Sequence, residues 1–420
     1  MRICMMSRSV PAHGLGGLER HLHLLGRELV RLGHDVVVLT TALPPESRTG
    51  LVKELPDGTP EPIEPDPMQA SKISAPQRSP VRSTVEGVEY IFLSGTRPGV
   101  YSRGWWSASR QALKGLNPDI VHSQSIGAYG ALGDIRRRRL PLVATCHGTP
   151  LSDAVTTLRS FGPRTNPAHL ISTVSRLPHH MKVYGSARRV IAVSPRVAEH
   201  LGSAGLAPRQ RITVVLNGID TDFFKPAEGN AAEGPAPPGP VIFSIARIVE
   251  EKGFQYLVRA MHDVVGDHPD ARLVIGGTGP YVPHLKALAD KEGVSDSIEF
   301  TGPIPERELP SRYRACDLFA LATTHVEGLP LVLPEALACG KPIAASRIGG
   351  VPDVVQEGVT GRLFEPGEQK SITGTLKELL SDAGRLRAMG MAAREDAVKR
   401  FGARRMAQET AAVYSGVSSG

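Results

Sequence analysis

Residues 323–342 read TTHVEGLPLVLPEALACGKP, and this stretch decides the fold. It follows the apolar run Asp317–Leu321, which predicts a buried strand, and it ends in a helical segment that Gly340 stops. Two carboxylates, Glu327 and Glu335, therefore bracket a loop that joins a strand to a helix. An open parallel sheet binds its ligands at such loops. The stretch predicts an α/β domain with a ligand site at one edge of its sheet.

The same order of strand, loop and helix opens the chain. Arg2–Met6 is a short apolar run that predicts a strand, and a glycine-bearing loop follows at residues 12–19. Leucines with helical spacing come next and stop at Gly33, and Val36–Leu39 predicts the second strand. In such a βαβ unit the first loop places backbone N–H groups where an anion or a sugar can bind. The glycines do not fit the spacing of a dinucleotide-binding loop.

Strands alternate with helices through most of the chain, which is typical of a doubly wound parallel sheet. One helix is expected to begin at Ser194-Pro195, and another at about Phe254. Further strands are predicted at Val88–Leu93, Ile120–His122, Leu142–Cys146, Val190–Val193, Ile212–Leu216, Val241–Ala246, Arg272–Ile275, Ile298–Thr301, Leu318–Leu321, Pro342–Ala345 and Gly361–Phe364.

Two proline-rich segments interrupt this alternation. Residues 42–84 are rich in Pro, Ser and charge, and they predict a mobile loop or insertion. Residues 227–240 have almost nothing to bury and predict an interdomain linker. The predicted organisation is a first α/β domain at residues 1–226, a second at residues 241–402, and a C-terminal helix at residues 403–420. This helix is amphipathic enough to pack on either domain, including a return to the first.

Composition is that of a folded globular protein. The chain has 420 residues, of which 41% are hydrophobic and 22% charged. No apolar run is long enough to cross a bilayer and the N-terminus lacks a signal-peptide layout, so a cytoplasmic protein is expected. Four widely spaced cysteines suggest neither a zinc site nor a disulfide framework, and reduced thiols are expected.

Charge is distributed unevenly between the two halves. Residues 1–225 hold 28 Lys+Arg against 17 Asp+Glu, whereas the rest of the chain holds 21 against 25. Aromatic residues make up only 5% and no nucleic-acid-binding signature is present, so nucleic acid is not an expected partner. A solvated basic face is the first interpretation. An anionic acceptor or an acidic membrane surface is the second, and the run at residues 136–139, four arginines, favours it slightly.

The two carboxylates of the opening stretch allow three interpretations. Glu327 and Glu335 could be a general acid/base pair like that of glycoside hydrolases. Glu335 could instead have only a structural role, in which its charge offsets the dipole at a helix N-terminus and stabilises the helix by ~0.5 kcal/mol. A loop at a strand end could also direct one carboxylate at a sugar and the other at a ribose. Nearby basic residues favour this third interpretation.

Arg247 and Lys252 follow a predicted strand at a helix start. Either could be a solvated surface charge. Together they indicate a clamp for a diphosphate, whose leaving charge must be neutralised in the transition state. His147, between a strand and Gly148, occupies a ligand-facing position, although a structural hydrogen bond is its alternative role. The Asp-x-Asp sequence at residues 220–222 predicts a turn, not a metal site.

These motifs, in this order, resemble glycosyltransferase family 4. The fold of that family is GT-B, in which two Rossmann-like doubly wound domains face each other across a nucleotide-sugar cleft. The resemblance covers nearly the whole chain, and no single motif carries it. The matching segments are Gly16-Gly17-Leu18-Glu19, His147-Gly148, Asn217-Gly218-Ile219-Asp220, Arg247 with Glu251-Lys252-Gly253, Gly277-Thr278-Gly279-Pro280, and Glu327-Gly328-Leu329-Pro330-Leu331 through Glu335.

The resemblance implies a donor site on the second domain and an acceptor site on the first. Arg247 and Lys252 would bind the donor diphosphate, Glu335 the ribose, and Glu327 the hydroxyls of the transferred sugar. His147 would face that sugar near the reacting carbon. The implied catalytic residues are Arg247, Lys252, Glu327 and His147. Further implied donor-binding positions are Gly16 and Gly17 near the phosphate, Asn217, Ile304 near the base, and Gly328, Leu329, Pro330, Leu331 and Val332 in the loop.

The implied reaction is transfer of a hexose from a UDP- or GDP-sugar to a hydroxyl or similar nucleophile, with retention of the anomeric configuration and without a required metal. The acceptor is left unidentified. The basic first half allows an anionic or lipid-linked acceptor, neutral small molecules stay open, and at most a weak contact to the inner face of a membrane is expected. Two alternatives stay open. One is a nucleotide-sugar hydrolase or epimerase of the same fold, and the other is a nucleotide-binding protein without catalysis.

Overall fold

A computed structural model of the chain shows two compact units. The first holds the described residues up to 148 together with residues 175–218 and 403–418, and the second holds residues 219–402. The described residues are 1–14, 16–44, 53–54, 60–61, 79–148, 175–227 and 238–418. The predicted linker, 227–240, lies outside them except at its ends, and so does most of the predicted insertion at 42–84.

The first unit is built on an eight-stranded sheet. Its strand order is β10-β9-β8-β7-β1-β2-β6-β5, and neighbouring strands run parallel except for β5, which is antiparallel to β6. A separate antiparallel pair joins β3 to β4. The strands are β1 (Arg2–Met6), β2 (Asp35–Thr40), β3 (Lys53–Glu54), β4 (Pro60–Glu61), β5 (Val81–Val85), β6 (Val88–Phe92), β7 (Ile120–Gln124), β8 (Leu142–Cys146), β9 (Arg189–Ala192) and β10 (Ile212–Val214).

The second unit is built on a six-stranded sheet in which all neighbours are parallel. Its strand order is β13-β12-β11-β14-β15-β16. The strands are β11 (Val241–Ile245), β12 (Arg272–Gly276), β13 (Ile298–Gly302), β14 (Leu318–Leu321), β15 (Ile343–Ser346) and β16 (Gly361–Phe364). Two of the four strands nearest the centre, β11 and β14, end in loops that carry predicted site residues.

Helices connect the strands in both units. In the first unit the described helices are α1 (Gly17–Arg31), α2 (Arg103–Lys114), α3 (Leu132–Arg137), α4 (Leu177–Ser186) and α5 (Pro195–Ser203). In the second they are α6 (Phe254–Asp267), α7 (Val282–Glu292), α8 (Leu309–Arg314), α9 (Val332–Ala338), α10 (Gln369–Leu380) and α11 (Ala383–Phe401), and α12 (Ala403–Ser418) belongs to the first unit again.

Local chemistry explains where these helices begin and what they bury. The Ser194 hydroxyl accepts a hydrogen bond from Val197 N, so this residue caps α5, and Pro195 occupies the first turn. The predicted helix start is confirmed. On α1, the leucines at positions 22, 25 and 29 are at most 1% exposed and pack in the core of the first unit. Tyr414 and Met406 of α12 pack in that same core.

One edge of the first sheet differs from the predicted organisation, because the end of the segment predicted as a loop, residues 42–84, forms a strand. Val81–Val85 forms the antiparallel strand β5, within a segment that was predicted to be loop. Glu86 and Gly87 both have positive φ, at 48° and 79°, and make the tight turn into β6. Three of the five β5 side chains are exposed, which is why the strand carries little apolar signal in the sequence.

The cysteine prediction is confirmed, because Cys4, Cys146, Cys316 and Cys339 are buried free thiols. Burial raises the pKa of Cys4 and of Cys316 to about 12, so these thiols stay protonated. Among the described residues, no helix has both the length and the apolar content needed to span a bilayer.

Candidate active site

An ion pair between Lys252 and Glu327 lies at the carboxyl edge of the second sheet. The Lys252 ammonium donates a short hydrogen bond to Glu327 Oε1, and each side chain is only 17% exposed. Lys252 comes from the turn after β11, and Glu327 comes from the loop after β14. Because β11 and β14 are neighbours in the sheet, two residues that are 75 positions apart in sequence meet. The structure thus joins the residues predicted to bind the diphosphate and the sugar.

The turn that carries Lys252 is held against the loop after β14. Three donors converge on the carbonyl oxygen of Glu251: the backbone N of Thr324 at 2.9 Å, and the hydroxyls of Thr323 and Thr324 at 3.2 Å each. Gly253 follows with φ 74°, and a Cβ at this position would lie 1.8 Å from the carbonyl oxygen of Ala322. Only glycine fits this close approach between the two loops.

The backbone of Glu327 is fixed from its other side by the loop after β15. Gly350 N donates to the Glu327 carbonyl oxygen at 2.8 Å. Gly349 has φ 53°, and a Cβ there would lie 2.3 Å from that oxygen. The carboxylate of Glu327 is therefore presented by a rigid backbone, as a binding group must be.

Arg247 lies two residues beyond β11, and its side chain is 72% exposed. Its guanidinium is 4.0 Å from Glu251 Oε1, so it is not fixed against a buried partner. The next residue, Ile248, donates from its backbone N to Thr278 O at 2.8 Å, which braces this segment against the glycine loop after β12. Ile304, after β13, lies against Gly276. Predicted donor residues thus follow four neighbouring strands, β13, β12, β11 and β14, when the glycine loop is included.

Glu335 has a different environment from Glu327. It lies in the first turn of α9 and is 1% exposed. The Tyr313 hydroxyl, on α8, donates to Glu335 Oε2 at 2.8 Å. The ring of Tyr313 is fully buried and packs against Phe243 and Phe319. A buried carboxylate on a rigid hydroxyl is an oriented hydrogen-bond acceptor, and more than a surface charge that offsets a helix dipole.

The loop between Glu327 and α9 is partly buried. Leu329 and Leu331 are 5% and 6% exposed, while Gly328, Pro330 and Val332 are half-buried. The two leucine side chains anchor the loop in the core, so its backbone is held in place at the sheet edge.

The predicted site residues of the first unit gather around one helix start. Gly16 is the N-cap of α1 and Gly17 its first residue, after β1. His147 follows β8, and its Nε2 lies 2.7 Å from Oε1 of Gln124, the last residue of β7. Since β1, β7 and β8 are neighbours, these loops share the carboxyl edge of the first sheet.

His21, on α1, links these residues. Its ring meets the ring of His147 edge to face at a centroid distance of 4.7 Å. Burial lowers the pKa of His21 to about 4, and a side-chain hydrogen bond with Asn217 offsets part of that fall. Burial, together with the positive charge that His21 would carry, also lowers the pKa of His147 well below its ordinary value. Both imidazoles are neutral near pH 7.

A third buried histidine lies behind this pair. His122, on β7, is 0% exposed, and its Nε2 lies 2.7 Å from the Thr145 hydroxyl. Its Nδ1 lies 2.6 Å from the hydroxyl of Tyr414 on α12. Burial lowers the pKa of His122 to about 3 and raises that of Tyr414, so a neutral imidazole and a protonated tyrosine share this hydrogen bond.

The Asp-x-Asp segment forms the predicted turn. Asp220 Oδ1 accepts hydrogen bonds from the backbone N of Asp222 and of Phe223, at 3.0 Å each. Within the described ranges, no three His, Cys, Asp or Glu side chains are grouped closely enough to hold a metal ion. That the reaction needs no metal stays a prediction.

The arginine run at 136–139 is partly structural. Arg137 pairs with the buried carboxylate of Asp134. Arg138 donates to the carbonyl oxygens of Leu113 and Leu116 at 2.7 and 2.8 Å, where α2 ends. Arg136, Arg137 and Arg139 are exposed, so three of the four arginines present charge to solvent.

Comparison with known proteins identifies the family. The model for Glycosyltransferase Family 4 matches residues 15–223, and the model for Glycosyl transferases group 1 matches residues 228–396. The chain is 34% identical over 303 residues to the GDP-mannose-dependent alpha-(1-6)-phosphatidylinositol monomannoside mannosyltransferase of Mycolicibacterium smegmatis, across 68% of this chain and 73% of that protein. The chain belongs to glycosyltransferase family 4.

Other comparisons extend this result. The glycosyltransferase is 29% identical over 417 residues to the D-inositol 3-phosphate glycosyltransferase of Thermobispora bispora, across 95% of this chain and 90% of that protein. Sucrose-phosphate synthase from Thermosynechococcus elongatus superposes with a TM-score of 0.78 at 18% identity, over 100% of this chain and 99% of that one. The predicted family and GT-B fold are confirmed. The chain is therefore an enzyme that transfers a hexose from a nucleotide-sugar donor.

Several residues of the site were not found from the sequence of this glycosyltransferase. Thr323 and Thr324 stand in the opening stretch, and their place after a strand could have indicated them. Tyr313 and Gln124 were missed, because their partners depend on which strands and helices are neighbours. His21 carries only the weak signal of a polar residue on the first turns of α1.

Proposed function

We propose that this glycosyltransferase moves a hexose, with mannose as the first candidate, from a GDP-sugar to a hydroxyl group of an acceptor that carries inositol phosphate. The anomeric configuration is retained. The Mycolicibacterium relative is named for GDP-mannose and for phosphatidylinositol monomannoside, and the Thermobispora relative for D-inositol 3-phosphate. An inositol phosphate group is the chemistry that these two names share.

The Lys252–Glu327 pair is the observation that carries the proposal. An ammonium group offsets the charge that develops on a leaving diphosphate, and a carboxylate accepts hydrogen bonds from sugar hydroxyls. Glu327 Oε1 already accepts a hydrogen bond from the Lys252 ammonium, so this carboxylate is held in place as a hydrogen-bond acceptor. This favours Glu327 as a binding group for the donor sugar over an acid/base catalyst.

Two further contacts support the donor assignment. Glu335, oriented by Tyr313, has the rigid acceptor geometry that a ribose diol needs. Arg247 is exposed and follows the same strand as Lys252, so it can reach a phosphate without breaking a buried ion pair. Ile304 is apolar and half-buried, as a contact with a nucleobase requires.

The charge of the first half of the chain supports an anionic acceptor. Residues 1–225 have 11 more basic than acidic residues. A phosphate on the acceptor is attracted by such a field, and the attraction weakens with salt. Contact with an anionic membrane surface follows from the same charge if the inositol phosphate is lipid-linked, and we expect that contact to be weak.

The proposal is tested by incubating the purified full chain with GDP-mannose, GDP-glucose, UDP-glucose or UDP-galactose, with and without inositol 1-phosphate, inositol 3-phosphate or phosphatidylinositol vesicles. We expect product that needs both GDP-mannose and an inositol phosphate acceptor. Product that forms with a UDP-sugar and with neither GDP-sugar would overturn the GDP assignment. Sugar release without acceptor, at the rate seen with it, would instead favour the hydrolase alternative.

Product stereochemistry and metal dependence need separate measurements. Proton NMR of the glycoside is expected to show the same anomeric configuration as the α-linked donor, and a β-linked product would exclude retention. Transfer is expected to persist after treatment with EDTA, and a loss that Mg²⁺ or Mn²⁺ restores would contradict a metal-independent reaction.

A further inference from the structure

We infer that Gln124 is a positioning residue: its amide oxygen holds the His147 imidazole as the Nε2–H tautomer, which leaves Nδ1 as a hydrogen-bond acceptor for a hydroxyl of the donor sugar. This inference rests on the proposed function and on the placement of His147 at that sugar, which the family resemblance implies. It adds a residue on β7, a strand for which no role in the reaction was predicted.

The geometry of the contact is well defined. His147 Nε2 and Gln124 Oε1 are 2.7 Å apart. The backbone of Gln124 is fixed in turn, because the Tyr101 hydroxyl donates to its carbonyl oxygen at 2.7 Å. An amide oxygen only accepts hydrogen bonds, so the nitrogen that faces it must carry the proton. In a neutral imidazole the other nitrogen, Nδ1, is then the acceptor.

The surroundings keep this imidazole neutral. His21 on α1, His122 on β7 and Arg8 after β1 are the titratable groups that act on His147, and each is either neutral or positive. None of these three described residues is a carboxylate. Burial and these neighbours lower the pKa of His147, so protonation of Nδ1 is disfavoured.

Burial of Gln124 is difficult to explain by stability alone. The residue is 0% exposed, and its amide nitrogen has no hydrogen-bond partner among the described residues. A buried amide group that lacks a partner destabilises a fold. An apolar side chain would fill this position without that penalty, so the contact with His147 is the property that requires glutamine.

The tautomer is measured directly on the full chain labelled with ¹⁵N-histidine. Long-range ¹H–¹⁵N correlation spectra report which ring nitrogen is protonated, and the His147 signals are assigned by their loss in H147N. We expect Nε2–H with an unprotonated Nδ1 at pH 7.5. Observation of Nδ1–H, or of a doubly protonated ring, would overturn the inference whether or not the enzyme uses GDP-mannose.

Two substitutions then connect the tautomer to the reaction. Gln124→Met keeps the volume and removes the acceptor, and we expect kcat with GDP-mannose to fall about tenfold, the effect of one lost hydrogen bond. Gln124→Glu places a carboxylate on Nε2–H and raises the pKa of His147. This variant should be nearly as active as wild type at pH 8.5 and lose activity toward pH 6, as Nδ1 gains a proton.

Gln111→Met, on the exposed face of α2, is the matched control and should leave kcat and its pH profile unchanged. If Gln124→Glu had the pH profile of wild type, Gln124 would have only a structural role. If the tautomer is as inferred but H147N transfers mannose at the wild-type rate, the proposed role of His147 fails while the positioning by Gln124 stands.

Discussion

The two units of this glycosyltransferase each hold a polar centre, and the two centres differ in charge. In the second unit, Lys252 and Glu327 form a partly exposed ion pair. In the first, His21, His122 and His147 are neutral because burial suppresses their protonation. The proposed function assigns a different ligand group to each centre. Charged groups suit a diphosphate and the polar sugar next to it, whereas neutral imidazoles suit hydroxyl groups and do not compete for the phosphate.

The largest expected effect comes from breaking the charged centre. Lys252→Ala and Glu327→Ala should each lower kcat/KM for GDP-mannose by about 10³-fold, because a preorganised charge at the donor is lost and its partner is left unpaired. Steady-state kinetics measure this, with Lys291→Ala on the exposed surface of α7 as control. Transfer by Glu327→Ala at the wild-type rate would remove this residue from the donor site.

The glycine beside Lys252 tests how tightly that centre is packed. Gly253→Ala should lower the free energy of unfolding by ~3 kcal/mol, because Cβ would clash with the Ala322 carbonyl at a positive φ. Gly293→Ala is the matched control. Its φ is 69°, but no atom lies within 4 Å of the added Cβ, so a loss of only ~1 kcal/mol is expected.

Urea unfolding of both variants makes this comparison. Equal losses would show that the contact with Ala322 is not tight, and that the backbone conformation alone sets the cost.

The neutral centre should respond to acid. The folded pKa of His21, about 4, lies below its ordinary value of 6.5, so the unfolded chain binds protons first. The neutral imidazole of His21 contributes fully to the free energy of unfolding above pH 6.5. This contribution, at most ~3 kcal/mol, is lost as the pH falls toward about 4. Thermal unfolding between pH 7.5 and 5 should therefore show a falling Tm.

The variant His21→Asn should reduce that pH dependence without removing it, because burial also keeps His122 and His147 neutral. His262→Asn, at an exposed histidine of α6, should leave it unchanged. A Tm that falls equally in wild type and His21→Asn would assign the acid sensitivity to other groups.

The smallest effect concerns Glu335, a carboxylate that is buried like the histidines but belongs to the charged unit. Tyr313→Phe removes the hydroxyl that orients it and should weaken GDP binding about tenfold, ~1.4 kcal/mol, while the acceptor KM stays constant. Isothermal titration with GDP measures the change. Unchanged affinity together with a lower Tm would mean that the hydroxyl serves only the fold.

Much of the fold could be predicted from local pattern. The strands Leu142–Cys146, Leu318–Leu321 and Gly361–Phe364 have the predicted bounds, because a buried parallel strand is a continuous apolar run between breakers. The edge strand β5 was not predicted, because an edge strand with exposed side chains lacks a continuous apolar run. The candidate site was predicted as a set of loops, and its individual side chains were only partly found.

The sequence by itself determined the two α/β units, the loops at their strand ends and the family, because each depends on short-range periodicity or on motif order. Tertiary structure decided which side chains meet. That Glu327 pairs with Lys252, that Tyr313 orients Glu335 and that Gln124 faces His147 all follow from strand order and helix packing. Side chains that are 22, 23 or 75 positions apart come together only when the sheet sets their neighbours.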